Sequence, residues 1–235
     1  SVMKKYFVTG TDTEVGKTFV TSALLKLMSD RGKKCVGLKP IASGCEKVDG
    51  LWVNEDALSL MESSSIKLTY EHVNPIAFPE AIAPHLAAIK NNVDLKSENI
   101  TGFCHKTFNE YENMADCILV EGAGGWFVPL NNNETYADVV KQLNLDIILV
   151  VGIRLGCINH ALLTESAINQ SGLKIIGWVA NCIDSEVSSE NDIIKTLQGR
   201  IAAPCLGVVP FIASQNDLEE KVSASHCLGS FMNFI

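Results

Sequence analysis

The sequence predicts an open, doubly wound, mostly parallel α/β sheet flanked by helices, and three observations carry that expectation. Short apolar runs alternate with helix-length amphipathic stretches, the pattern of strands joined by crossover helices. Several of the runs are continuously apolar, as strands covered on both faces must be. The 235 residues, 47% hydrophobic and 20% charged, can bury the core of such a sheet as one domain spanning residues 1–235.

Six strands are expected, at residues 5–9, 34–39, 117–121, 146–151, 175–180 and 205–209. Helices are expected at residues 17–31, 56–61, 84–90, 97–113, 136–143, 158–170 and 190–197. Gly32, Gly172 and Gly199 stand where helices should stop. The polar, glycine-containing stretch 42–54 reads as a loop near the site. No repeat, low-complexity segment or linker interrupts the pattern.

Charge and cysteine usage narrow the function classes. The net charge is −8 and no Lys/Arg cluster exists, which argues against a nucleic-acid partner, because backbone binding needs a basic face. A single nucleotide needs only a few cations and backbone N–H groups. No apolar run reaches the ~20 residues of a membrane span. Lys4 and Lys5 precede only a short apolar strand, unlike a signal peptide, so a cytoplasmic protein is expected. Met3 reads as the natural start, with Ser1 and Val2 added before it. The eight cysteines form no C-x-x-C pair and are expected to be reduced, several of them buried.

In such a sheet, ligands bind beyond the carboxyl ends of the strands. The first strand runs into Gly10-Thr11-Asp12-Thr13-Glu14-Val15-Gly16-Lys17-Thr18, and a helix follows at once. This is a P-loop with one residue more than G-x-x-x-x-G-K-[ST]. Gly16 lets the backbone approach phosphates, and the N–H groups around Gly16, Lys17 and Thr18 point at an anion. Lys17 supplies a cation and the Thr18 hydroxyl can ligate Mg²⁺. A P-loop NTPase-like fold binding ATP and Mg²⁺ is therefore expected.

The strand at 117–121 ends in Glu121, followed by Gly122-Ala123-Gly124-Gly125. It resembles a Walker B element with Glu for Asp, and Glu121 is a candidate Mg²⁺ ligand. Asp56 opens a helix, where position alone suggests an N-cap or first-turn acid. Lys39 ends the second strand beside the P-loop. It reads either as a surface lysine or as a second cation at the reaction centre.

With these pieces in place, the chain resembles the dethiobiotin synthetase family of the biotin pathway over nearly its whole length. The extra P-loop residue is a trait of that family. Further matches are Lys39-Pro40-Ile41-Ala42-Ser43-Gly44, Ala83-Pro84-His85-Leu86-Ala87-Ala88, Val120-Glu121-Gly122-Ala123-Gly124-Gly125, Arg154-Leu155-Gly156-Cys157-Ile158-Asn159-His160 and Val179-Ala180-Asn181, in the family's order. The resemblance implies ring closure of 7,8-diaminononanoate with CO₂, driven by ATP through a carbamate and a carbamic–phosphoric mixed anhydride.

It also implies roles. Lys17, Thr18 and Lys39 would be catalytic, the two lysines stabilising the carbamate and the transferring phosphoryl group. Thr18, Asp56 and Glu121 would hold Mg²⁺. Thr13, Glu14, Val15, Gly16 and Lys17 would line the phosphates, and Gly124 would help hold the nucleotide. Asn181 would contact adenine, with Pro210, Phe211, Ile212 and Asp217 closing over the base. Thr11 and Ser43 would lie at the diamine end. The family works as a homodimer, in which Gly156, Cys157, Ile158 and Asn159 would reach the partner's substrate tail. An aromatic tail contact is expected around position 193, where this chain has Ile193. His85 and His160 read as structural.

Two rivals come from other classes. P-loop ligases of the cobyrinate-amidating or CTP-forming type usually carry a glutaminase domain, for which this chain has no room. Nucleotide switches that partition cargo carry an extra lysine early in the loop, where Thr11 and Asp12 stand here.

Overall fold

The computed structural model describes residues 2–215 and 217–235; Ser1 lies outside them. Six strands form one parallel sheet: β1 (Lys4–Gly10), β2 (Cys35–Leu38), β7 (Cys117–Gly125), β8 (Asp146–Ile153), β9 (Ile175–Cys182) and β10 (Cys205–Val209), in the order β10-β9-β8-β1-β7-β2. These are the six predicted strands. The four other strands are short: β3 (Ile41–Ala42) pairs with β6 (Ile76–Ala77), and β4 (Glu46–Val48) with β5 (Leu51–Val53).

The sheet is doubly wound because its side chains alternate between two cores. On β8, Ile147, Leu149 and Val151 join one apolar cluster, and Ile148 and Val150 join the other. The first cluster is covered by α4 (Pro84–Lys90), α5 (Ser97–Tyr111), α6 (Tyr136–Leu143), α7 (Cys157–Gln170) and α8 (Glu190–Arg200). The second is covered by α1 (Lys17–Asp30), α2 (Glu55–Ser63), α9 (Leu218–His226) and the closing 3₁₀ turn Gly229–Phe234. The remaining helix, α3 (Tyr70–Val73), leads into β6. β1 lies between β7 and β8, so its carboxyl end opens into the crevice where such sheets bind ligands.

Several boundaries differ from expectation for physical reasons. The glycines after Glu121 continue β7 to Gly125, and the β1–β7 register shifts between Val8 and Gly10 to accommodate them. Gly32 and Gly172 do end helices in the left-handed region, at φ 76° and 81°. Gly199 does not; α8 runs through it to Arg200. The expected loop 42–54 contains the β4–β5 hairpin, turned by Asp49 and Gly50 at φ 50° and 82°. All eight cysteines are free, and six are buried.

Candidate active site

The P-loop is fixed from below. The Val15 side chain is fully buried and plugs into space left by two glycines: a Cβ at Gly10 would meet it at 2.6 Å, and one at Gly152 on β8 at 2.9 Å. From behind, the amide of Asn181 at the end of β9 donates to the Val15 carbonyl at 2.9 Å. Gly16 caps α1 with φ 87°, and a Cβ there would meet Asn181 Nδ2 at 2.2 Å. The glycine is thus required by both conformation and space.

The loop borders a cavity of about 660 Å³, whose lining includes Thr13, Lys17, Lys39, Asp56, Glu121 and Gly124. Residues from the ends of β1, β2 and β7 and the start of α2 therefore meet in one space. Glu14, Gly16, Thr18 and Ser43 line it as well. Thr11 does not; its N–H bonds to the Val150 carbonyl behind the loop.

Charge is concentrated there. Lys39, buried to 5% exposure, places Nζ 3.2 Å from the Gly122 carbonyl, 3.6 Å from Glu121 Oε1 and 3.8 Å from Asp56 Oδ2. Burial, and then the Lys39 cation, pull the Lys17 ammonium down to about 8. Burial pushes the Glu121 carboxyl above the usual carboxylate range, against the opposing pull of Lys39.

Thr18 Oγ1 donates to Glu121 Oε1 at 2.6 Å, and Glu121 Oε2 is buried without a partner. Two oxygens from separate segments beside an orphaned carboxylate oxygen suit a hard divalent cation, which takes few protein ligands and completes its shell with water and phosphate. Asp56 is not the cap of α2. Asn54 is, accepting from Asp56 N and Ala57 N, which leaves the Asp56 carboxylate to face Lys39.

A second cavity of about 370 Å³ is lined by Glu14, Ile183, Phe211, Ile212 and Gln215, among others. It adjoins the first through Glu14 and Gln215. Pro210 precedes it, and Asp217 caps α9 by accepting from Glu219 N. Asn181 is buried beneath the loop, with Oδ1 unpartnered. Gly156, Cys157, Ile158 and Asn159 form the start of α7 and line neither cavity, while Ile193 packs against the core from α8. His160 is exposed on α7.

Comparison with known proteins places this geometry. A family model described as an AAA domain matches residues 4–218. An ATP-dependent dethiobiotin synthetase of Cellvibrio japonicus is 49% identical over 207 residues, covering 88% of this chain and 89% of that protein. The chain belongs to the dethiobiotin synthetase family. A second member, from Marinobacter nauticus, is 46% identical over 224 residues, covering 95% and 94%. Membership makes the chain an ATP-dependent ligase that forms a C–N bond.

Solved structures show the same P-loop fold at low identity. The cell division ATPase MinD of Pyrococcus furiosus aligns at a TM-score of 0.60 and 16% identity, covering 99% of each chain. The MinC:MinD cell division complex of Aquifex aeolicus gives 0.58 and 13%, covering 98% and 95%.

For a dethiobiotin synthetase family member, the linear motifs located the lysines and carboxylates but missed other parts of the site. Gly152 makes room for Val15, and the Arg154 guanidinium holds Asp12 of the P-loop at 3.0 Å. Asn54 was missed as the N-cap of α2; an Asn just before the Glu55-Asp56 pair was its one local signal. Gln215 and Ile183 carry no local signal, since only the fold brings them to Glu14.

Proposed function

We propose that the chain closes the cyclic urea of dethiobiotin from 7,8-diaminononanoate, CO₂ and ATP. One amine adds to CO₂ and loses a proton, giving a carbamate. A carbamate oxygen displaces ADP at the γ-phosphorus, forming the mixed anhydride. The second amine attacks the carbonyl carbon, and phosphate leaves as that nitrogen loses its proton.

The observation that supports this reading is the pair of buried lysines, Lys17 and Lys39, lining one cavity from different segments. Carbamate and γ-phosphoryl group are both anions and repel, so holding them in contact takes opposed cations in a water-poor space. Lys39 is held on the β7 side by the Gly122 carbonyl and Glu121, and Lys17 rises from the loop. Thr18, Glu121 and Asp56 would hold Mg²⁺, which offsets charge on the β- and γ-phosphates. Ser43 Oγ, buried, unpartnered and on the cavity wall, would bond the carbamate end. The cavity next to Glu14, Phe211 and Ile212 would take the base, with ATP as the nucleotide.

The unit of function in this reading is a homodimer. Gly156–Asn159 would serve the partner's substrate tail: they line neither of the two cavities described above, and Leu155 beside them is 94% exposed. Pairing a Lys39→Ala chain with an Asn159→Ala chain should concentrate both defects in one site and restore about half the native activity. No rescue in a verified mixed dimer would contradict the shared site. The ring closure itself is tested by supplying ¹³C-bicarbonate with ATP, Mg²⁺ and the diamine: the label should appear in dethiobiotin, and an unlabelled or unchanged diamine would refute the assignment.

A further inference from the structure

A polar chain running from Asn54 in the cavity wall to Tyr70 and Asn74 behind it joins the two segments that bring Lys39 and Asp56 together. The backbone N–H of Asn54, the cap of α2, donates to the Tyr70 hydroxyl at 2.6 Å. The Tyr70 hydroxyl donates in turn to Asn74 Oδ1 at 2.7 Å. Asn74 Nδ2 donates to the Lys39 carbonyl at 2.9 Å and to the Ile76 carbonyl at 3.0 Å. Lys39 N–H is fixed from the same segment, by the Val73 carbonyl at 3.0 Å. Asn54 Nδ2 also donates to the Ser43 carbonyl at 3.2 Å.

The chain has one direction. Asn74 Nδ2 faces three carbonyls, those of Lys39, Ile76 and, at 3.5 Å, Pro40, so turning the amide over would set its oxygen against carbonyl oxygens. Asn74 is 2% exposed, so water cannot substitute for a lost partner. Burial pushes the Tyr70 phenol up to about 12, so it remains a donor at working pH. Neither Tyr70 nor Asn74 lines the cavity. Core packing alone calls for no such chain: α3 has four residues and buries only Val73. What the chain does connect is the peptide of Lys39, the peptide of Ser43 and the start of α2 that carries Asp56.

We propose that Tyr70 and Asn74 are positioning residues for the ligase reaction, holding the Lys39 ammonium and the Asp56 carboxylate at their working separation through Asn54. The inference rests on the reading of Lys39 as the cation at the reacting carbamate. It assigns no substrate contact to either residue.

The test is Tyr70→Phe, which removes one oxygen and keeps the ring. Single-turnover phosphate release with ATP, Mg²⁺, bicarbonate and the diamine should slow about tenfold or more, while ATP affinity measured by calorimetry changes by less than about twofold. In a Lys39→Gln background the same substitution should slow release by less than about twofold, because there is no longer an ammonium to place. Equal slowing in both backgrounds would mean a general loss of structure and overturn the proposal, as would no slowing in the native background. Asn74→Asp keeps the shape and replaces the donor toward the Lys39 carbonyl with an acceptor. It should reproduce both results, and it carries the test if Tyr70→Phe does not fold. Failure of the underlying reading is separately visible: the native protein would then release no phosphate in response to the diamine.

Discussion

Thr18 and Glu121 lie 103 positions apart, yet the hydroxyl of one donates to the carboxylate of the other at 2.6 Å. The contact joins the start of α1 to β7 at the point where two cations and two acids converge.

Glu121→Gln keeps the acceptor for Thr18 and removes the charge. Burial has raised the Glu121 carboxyl, so the folded state holds its proton more tightly than the unfolded one. This group therefore costs stability at neutral pH, and its contribution is favourable only at low pH, below the ordinary carboxylate range. The substitution also leaves the buried Lys39 ammonium, 3.6 Å away, without its acid, and that loss opposes the gain. Turnover should fall about 10²-fold or more, and the Mg²⁺ concentration for half-maximal rate should rise. A variant that keeps its Mg²⁺ dependence would contradict this account of the acid.

The two lysines should separate kinetically. Lys17→Ala removes the cation of the phosphate loop and should abolish both tight ATP binding and turnover. Lys39→Ala should leave ATP affinity within about threefold and cut kcat by about 10³-fold or more, the signature of an interaction made at the transition state. Loss of ATP affinity with kcat preserved would make Lys39 a nucleotide-binding group only.

Gly16 and Asn181 are matched parts. Gly16→Ala needs a left-handed alanine whose Cβ meets Asn181 Nδ2 at 2.2 Å, so it should abolish ATP binding. Asn181→Ala removes the clash and also the brace on the Val15 carbonyl. It should cost about 1–3 kcal/mol of stability and weaken ATP binding. The double variant should bind ATP better than Gly16→Ala alone; equal or weaker binding would show that backbone strain dominates.

Tyr6 supplies a pH-dependent tie at the far end of β1. Its hydroxyl donates to the Phe234 carbonyl, and burial, with Cys117 and Asp146 nearby, raises its phenol to about 12. The unfolded phenol titrates near ~10, so this contribution is fully present below that pH and is lost as pH rises through about 12. Tyr6→Phe keeps the edge contact with Phe231. The native advantage over Tyr6→Phe should shrink between pH 9 and pH 12 in denaturant melts. A constant difference would remove the hydroxyl from the account.

Much of the sheet was legible because its strands are apolar runs bounded by polar turns, as in Asp146–Ile153. The β4–β5 hairpin was not, because each strand has three mostly exposed residues; the Asp49-Gly50 turn was its only local signal. Helix α9 escaped notice because it buries Lys221, Ala224 and Ser225, which make no apolar stripe. In the site, Lys17, Thr18, Lys39 and Glu121 were legible as linear motifs at strand ends. Asn54, Tyr70 and Asn74 were not, since their partners are set by tertiary contacts across the β2, α2 and α3 segments.

The central claim is that ATP cleavage is coupled to an amine-derived carbamate. The direct measurement is phosphate release by the purified protein with Mg-ATP, omitting the diamine and bicarbonate in turn from CO₂-depleted buffer. The account predicts release at one phosphate per dethiobiotin only when both are present, and a rate near background when either is missing. Equal phosphate release without the diamine would contradict it.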